Sequence, residues 1–173
     1  AQVASLTPGG SPNRLRFTCT GADAAVAATD YVMLGHYIEG IRAVDLKLGT
    51  AAAKTITIAF GCKGPAGTYC ISLENSAFNR AYIAEYTITA GEANTDVRKS
   101  VTIALDTTGT WLTDTGIGLR IWFALMMGSS YQTAAGAWAA GHYLASSNQF
   151  NFSGTNGNVF ELFDVALYIS STM

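Results

Sequence analysis

The chain has 173 residues, of which 49% are hydrophobic and only 13% charged, with a formal net charge of −2. This length suits one domain across residues 1–173, in which residues 1–14 form a linker or arm from a longer protein. The charge balance excludes a basic surface for nucleic acid, and no apolar stretch is long enough for membrane insertion. So few charged groups also favour packing against sister chains, because little hydration is lost on contact.

Apolar and polar side chains alternate along much of the chain, which is the pattern of half-buried strands. In chain order the alternating segments are 15–19, 46–48, 56–62, 71–73, 82–88, 101–105, 119–125 and 159–169. In the last of them we expect Glu161, Phe163 and Leu167 to share one face. Turn-forming Gly, Asn, Asp, Pro and Ser separate the segments. Short strands with such punctuation predict an all-β fold, an antiparallel jelly-roll β-sandwich.

The longest region without strand character is 128–147. Its Ala-rich part, 133–140, is broken by Gly136, so we predict a loop instead of a helix. Long loops of compact β domains are commonly functional or packed at an interface.

Three cysteines allow one disulfide at most. Cys62 and Cys70 flank a turn-like segment, and a hairpin there would bring the two close together. The alternative, which we favour for Cys19 as well, is that all three are small buried thiols.

The sequence offers no catalytic constellation. Only two histidines are present, no Gly-x-Ser-x-Gly turn occurs, and no His or Cys spacing fits a zinc site. The acidic candidates for a glycosidase pair are any of the loop or edge carboxylates Asp106, Asp114, Glu161 and Asp164. We therefore predict no catalytic residues, no metal site and no cofactor; structural Ca²⁺ is compatible with the oxygen-rich loops but is not predicted.

Aromatic side chains in polar segments are the more informative signal. Aromatic rings offer a surface on which the C–H face of a sugar packs, while polar neighbours bind its hydroxyls. We predict a glycan or receptor site made of Trp111, Asp114, Tyr131, Trp138, His142 and Tyr143. For both tryptophans in this set the alternative is a structural role that closes one end of the core.

Trp122 and Arg120 form a second group. They lie on the face of segment 119–125 that points away from the main core. We predict that they pack under a loop or form a subunit interface.

Seven segments carry a resemblance to a known family: 39–40, 46–51, 55–60, 106–114, 116–119, 135–141 and 154–157. In this succession the chain resembles the carbohydrate-binding-module-like sandwich domains of bacteriophage tail fibre, tailspike and other virion appendage proteins. The likeness runs from Tyr31 to Ile169. The chain departs from the family at Trp122, where small or polar residues are usual. This departure points to an additional contact surface.

The resemblance implies a homotrimeric module of a phage virion, acting at the host cell surface on a bacterial glycan or receptor without catalysis. Two alternatives remain at this stage. One is a structural trimerisation knob or cap of a virion fibre, and the other is a carbohydrate-binding accessory module of a polysaccharide-degrading enzyme.

Overall fold

A computed structural model describes residues 1–170, which form two antiparallel five-stranded sheets packed face to face. This confirms the predicted β-sandwich. The strands are β1 (Gln2–Ala4), β2 (Asn13–Thr18), β3 (Tyr31–Glu39), β4 (Thr55–Lys63), β5 (Gly67–Glu74), β6 (Ala81–Ile88), β7 (Val97–Ala104), β8 (Ile117–Met127), β9 (Trp138–Ala139) and β10 (Val159–Ser170). One helical turn, α1 (Gly40–Ala43), and four 3₁₀ turns connect them: Val44–Leu46, Ala90–Glu92, Ser129–Tyr131 and Phe152–Gly154.

Sheet A has the strand order β1-β2-β10-β4-β7, and sheet B has the order β3-β8-β5-β6-β9. Inward-facing side chains of both sheets fill the space between them. Phe60 of sheet A meets Phe123 of sheet B edge-on, with ring centroids 5.2 Å apart. Tyr69 of sheet B and Phe160 of sheet A also contact one another across the sandwich, with ring centroids 5.4 Å apart and the ring planes tilted by 40°. The apolar side chains that alternate in the sequence therefore pack together in one main core between the sheets.

The prediction of a strand at 46–48 is wrong. Residues Val44–Leu46 form a 3₁₀ turn that ends at Lys47, whose backbone is left-handed with φ 57° and whose N–H donates to the Val44 carbonyl. Leu46 is buried and Leu48 packs against the same core from the turn. The turn places Leu46 and Leu48 on the same side of the backbone. A spacing of two apolar residues therefore does not distinguish such a turn from a short strand.

The single face expected for segment 159–169 is also wrong. Phe160 and Leu162 lie in the core and Leu167 packs against it, whereas Glu161 lies on the opposite face. The register of β10 against β4 shifts between Phe163 and Ala166, and Asp164 in the shift has φ 48°. A β-bulge inserts a residue and reverses the alternation beyond it.

The first residues of the chain pack on sheet A. β1 pairs with β2, and Thr7 and the Gly9 N–H both donate to the Asp164 carboxylate, at 2.7 and 2.8 Å. Residues 1–14, which were expected to form a linker or arm, thus contact the β10 bulge through these hydrogen bonds.

A buried ion-pair network holds the outer side of sheet A. Arg14, 5% exposed, donates from Nη1 to Asp96 at 2.7 Å and to Glu161 at 2.9 Å. Arg16 donates from Nε to the other Glu161 oxygen at 2.6 Å. Burial opposes ionisation of Glu161, but the two arginines outweigh it, so the pKa of this carboxyl lies below its ordinary range.

All three cysteines are buried free thiols, as predicted. Cys62 lies in the main core, whereas Cys70 belongs to a separate cluster on the other side of sheet B. Burial raises the pKa of the Cys62 thiol to about 12, so it stays protonated and unreactive at neutral pH.

Arg14→Met is expected to lower the free energy of unfolding by about 3–5 kcal/mol, because it leaves the Glu161 and Asp96 carboxylates without their shared buried partner. Urea denaturation measures the change. The matched control is Arg42→Met, whose ion pair with Glu39 is exposed and which should change stability by less than about 1 kcal/mol. Equal effects of the two substitutions would contradict the assignment.

The lowered pKa of Glu161 also predicts acid sensitivity. The carboxylate contributes stability above its unfolded pKa of about 4.3. This contribution is lost as the pH falls through the lower folded value. Glu161→Gln should therefore be less stable than the wild type at neutral pH but lose less stability between about pH 5 and pH 3, as measured by urea midpoints. Parallel pH profiles for the two proteins would refute this.

Candidate functional site

The outer face of sheet B carries a second apolar cluster, apart from the main core. The loop 128–147, predicted as such and interrupted only by the short β9 and one 3₁₀ turn, crosses this face. Ser72 of β5 donates to the Tyr143 carbonyl at 2.8 Å, and the Leu144 N–H donates to the Tyr131 carbonyl at 2.8 Å. The buried members of the cluster are Cys70, Ile83, Trp122, Ala124, Met127, Leu144 and Ala145.

Cross-strand register brings distant residues together on this face. Tyr37 of β3 lies opposite Arg120 of β8, which in turn lies opposite Glu74 of β5. In the neighbouring row Trp122 lies opposite Gly35. Side chains in directly opposed positions of adjacent strands contact one another.

Glu74 is the polar centre of the face, and its side chain is fully buried. Trp122 donates from Nε1 to one carboxyl oxygen at 2.7 Å, and Nδ1 of His142 shares a hydrogen bond with the other at 2.7 Å. Burial raises the pKa of Glu74, while the bonds from His142 and Trp122 counteract part of that effect. Because it has no exposed surface, Glu74 cannot touch a ligand and instead fixes the side chains above it.

Gly35 provides the space in which the Trp122 ring lies. A Cβ atom at this position would come within 2.3 Å of the indole ring, well inside van der Waals contact. Tyr37 meets the same ring edge-on, with centroids 5.3 Å apart. The chain itself therefore covers Trp122, which is 6% exposed.

Phe78 projects from the turn between β5 and β6. The Asn75 side chain shapes this turn by accepting from the N–H groups of Asn79 and Arg80 and by donating to the Thr110 carbonyl. Phe78 itself has φ 55°, an uncommon conformation for a bulky residue, and the residue is 38% exposed. The turn thus holds an apolar ring at the surface.

A continuous series of contacts joins the exposed side chains above Glu74 and Trp122. The Arg120 guanidinium lies over the rings of Tyr37 and Phe78, at 5.0 and 4.1 Å. His142 contacts Phe78 at 4.7 Å and Tyr131 at 5.2 Å. Tyr31 meets Tyr131 edge-on at 5.8 Å. We call this surface the aromatic face; it consists of Tyr31, Tyr37, Phe78, Arg120, Tyr131 and His142.

The length of the aromatic face follows from β3. Tyr31 and Tyr37 lie at opposite ends of the series and six residues apart on that strand, a distance of about 20 Å at the rise of an extended chain. They are 54% and 48% exposed. A surface of this length accommodates a chain of several rings.

The structure brings together only part of the predicted site. Tyr131 and His142 belong to the aromatic face, and Tyr143 packs against the cluster beneath it. Arg120 and Trp122, predicted as a separate group, are their neighbours. Trp122 packs under the loop of its own chain, against Leu144 and Ala145, and the predicted subunit interface at Trp122 and Arg120 stays a prediction.

Trp111 and Trp138 lie elsewhere. Their rings contact one another at 5.5 Å and belong to or pack against the main core. Both indole N–H groups donate to backbone carbonyls, of Thr108 and Ala104. This is the core-closing arrangement that the sequence left open as an alternative.

Asp114 lies in an exposed turn beside α1. Its side chain accepts from the Gly116 N–H at 2.8 Å, and its carbonyl accepts from the Ile41 N–H at 2.8 Å. These bonds give it a local role in shaping the turn.

Sequence reasoning missed Tyr31, Tyr37, Phe78 and Glu74. A signal existed for the first two, since they alternate with the inward-facing Val32 and Ile38 and so point outward. Phe78 was detectable as a large apolar residue inside a polar turn. Nothing in the sequence marks Glu74 as buried.

The acidic residues considered for glycoside hydrolysis do not lie together in one site. Asp106 pairs with Arg80, Glu161 with Arg14 and Arg16, and Asp164 with the N-terminal segment. Burial opposes ionisation of Asp106, but Arg80 and Thr108 outweigh it and its pKa is lowered, so it does not serve as a proton donor.

Residues 1–170 contain neither a cluster of metal-binding side chains nor a helix that could span a membrane. Within them no group of three or more His, Cys, Asp or Glu side chains is placed to hold a metal ion. No helix in the same residues is long and apolar enough to cross a membrane.

No protein-family model and no curated protein matches the chain. Among solved structures, the arabinose-bound α-L-arabinofuranosidase MgGH51 aligns with 96% of the chain at 8% identity and a TM-score of 0.49, and the chain spans 21% of that enzyme. The CBM22-1 xylan-binding domain of Paenibacillus barcinonensis Xyn10C aligns with 97% of the chain at 8% identity and a TM-score of 0.43, with 78% of that domain covered.

The sugar-binding C-terminal domain of EclA aligns with 95% of the chain at 13% identity and a TM-score of 0.37, with 89% of that domain covered. At these identities and TM-scores the comparisons assign neither a family nor a ligand to this chain.

Gly35→Ala is expected to displace the Trp122 ring and to destabilise the protein by about 1–3 kcal/mol through overpacking. Urea denaturation gives the stability, and the NMR resonance of the Trp122 indole N–H reports the displacement. Gly91→Ala is the matched control, because a Cβ atom at Gly91 meets nothing within 4 Å. The interpretation fails if both variants are equally stable and the indole resonance is unmoved.

Proposed function

We propose that the chain is a non-catalytic carbohydrate-binding domain whose ligand lies along the aromatic face. The observation that carries this proposal is the unbroken series of partly exposed rings from Tyr37 to Tyr31, with polar groups between them. Sugar rings present C–H groups that pack on aromatic side chains, and their hydroxyls require hydrogen-bond partners beside those rings.

The aromatic face supplies both kinds of group. Tyr37, Phe78 and Tyr31 offer exposed ring surface. The hydroxyls of Tyr31 and Tyr37 form no hydrogen bond within residues 1–170, which leaves them available to a ligand. His142 keeps one ring nitrogen, Nε2, beyond its bond to Glu74.

The face is also pre-organised. Glu74 fixes His142 from below, and Arg120 is held between two strands and a structured turn. Side chains that are already ordered lose less conformational entropy on binding, so shallow contacts yield useful affinity. This favours recognition over catalysis, because Glu74, the one carboxyl within residues 1–170 whose pKa is raised, is buried beneath the surface.

The finer proposal is host recognition by a bacteriophage virion appendage, such as a tail fibre or spike, at the bacterial surface. It is supported by the resemblance of residues 31–169 to such domains and by the low charge of the chain. An accessory module of a polysaccharide-degrading enzyme would use the same face. Glycan arrays that contain host lipopolysaccharide and capsule beside plant polysaccharides separate the two, because each predicts binding to a different set.

A second candidate function, subunit packing in a trimeric fibre cap, is favoured by an apolar cleft on the other side of β3. This cleft of about 350 Å³ is lined by Leu15, Leu34, Gly35, His36, Phe123, Leu162 and Val165. Leu15 and Val165 are 39% and 51% exposed there. A trimeric mass in solution that is lost in Val165→Asp would support a packing role, and a wild-type monomer would exclude it.

Tyr37→Ala is expected to weaken glycan binding by about 2- to 13-fold, the range for loss of one aromatic packing contact of about 0.5–1.5 kcal/mol. Isothermal titration with a glycan selected on the array measures the change. Tyr168→Ala is the matched control, since Tyr168 is 57% exposed on sheet A. Equal affinity of the two variants would place the ligand elsewhere, and absence of any binding by the folded wild type would reject the proposed function.

A further inference from the structure

Arg120 differs from every other arginine of the chain in its partners. The other five each form an ion pair with a carboxylate: Arg14, Arg16, Arg42, Arg80 and Arg98. Arg120 forms none within residues 1–170. It is also the arginine that lies in the aromatic face.

The nearest acidic neighbour does not neutralise Arg120 by a direct contact. Glu74 occupies the opposed position on β5, yet its two oxygens are bonded to Trp122 and His142. Burial also raises the pKa of Glu74, which favours its neutral form. Arg120 acts on Glu74 only through space, where its charge lowers the pKa of that carboxyl, and within residues 1–170 it forms no ion pair.

The guanidinium has donors to spare. Nη2 donates one of its two N–H groups to the Ser76 carbonyl at 3.2 Å, whereas Nε is buried without a partner and out of a ligand's reach. Nη1 donates to no group within residues 1–170, and the side chain is only partly buried. The rings of Tyr37 and Phe78, at 5.0 and 4.1 Å, hold the group in place without using its N–H donors.

A ring-lined surface with one fixed, unpaired guanidinium is suited to a planar anion attached to a sugar. Arginine N–H groups bind carboxylates through charge-assisted hydrogen bonds, which are about twice as strong as those to neutral hydroxyls. The neighbouring rings then pack against the C–H face of the same or the adjacent sugar.

We propose that Arg120 binds the carboxylate of an acidic sugar, so that the glycan on the aromatic face contains uronic acid or a related sugar acid. This inference rests on the proposed function, since it specifies the ligand class of the same site. It adds a determinant of specificity, because neutral glycans with the same backbone leave Arg120 unpaired.

The test compares each acidic glycan with its own carboxyl-reduced form, which has the same linkages and no charge. The probes are oligogalacturonate, glucuronoxylan oligosaccharides and hyaluronan fragments, together with the corresponding reduced oligosaccharides. The wild type is expected to bind at least one acidic probe about 10- to 100-fold more tightly than its reduced form. Isothermal titration at low and high salt measures both affinities, and the difference should shrink at high salt.

Variants at position 120 identify the residue responsible. Arg120→Met should abolish the preference for the acidic form, so that each acidic probe and its reduced form bind this variant with affinities that agree within about threefold. Arg120→Lys, which keeps the charge but loses the planar fork, should retain only part of the preference. Arg42→Met is the matched control, because Arg42 is an exposed arginine outside the face and its loss should leave the preference unchanged.

The outcomes separate this inference from the proposed function. Equal wild-type binding of acidic and reduced probes overturns the role of Arg120 but leaves glycan binding intact. Binding of neither form overturns both. Equally tight binding of poly-L-glutamate, lost in Arg120→Met, would identify an acidic polypeptide as the partner and likewise overturn the inference.

Discussion

The candidate site depends on one buried carboxyl group. Glu74 is withdrawn from water and holds Trp122 through one oxygen and His142 through the other. An uncompensated buried carboxyl is costly, so these two bonds constrain both partners closely. Trp122 belongs to β8 and His142 to the long loop, so Glu74 links that loop to sheet B, beside the bond from Ser72 to the Tyr143 carbonyl. Glu74 therefore positions one ring of the aromatic face, that of His142, from a place that no ligand reaches.

The two sheets use buried charge differently. On sheet A the carboxyl of Glu161 is fully paired with arginines, and its pKa is lowered. On sheet B the carboxyl of Glu74 faces an indole and an imidazole, and its pKa is raised. On sheet A the ion-pair network stabilises the packing of the N-terminal segment. On sheet B the guanidinium of Arg120 lies at the surface and forms no ion pair within residues 1–170. The first arrangement serves stability and the second leaves a group for recognition.

The sequence predicts the sandwich because alternation records which side of a strand is buried. The outward direction of Trp122 and Arg120 followed from the same rule. Alternation did not predict the turn at Lys47 or the bulge at Asp164, because both depend on a single residue with positive φ, which the alternation of side chains does not encode. The aromatic face was predicted only in part, because Tyr37, Phe78 and His142 meet through strand pairings that connect distant segments. Loop position alone selected Tyr131 and His142, and the same criterion selected Trp111 and Trp138, which close the core.

The position of β10 has a consequence for synthesis of the chain. This last strand lies between β2 and β4 in sheet A, and its Glu161 pairs with Arg14, 147 positions earlier. Until residues 159–170 have left the ribosome, β2 and β4 each lack one of their two neighbouring strands, and Arg14 lacks Glu161, one of its two carboxylate partners. Sheet A therefore assembles only after translation of that segment, through contacts of long sequence separation that form slowly. The nascent polypeptide exposes unpaired strand edges throughout this interval, and such edges favour aggregation.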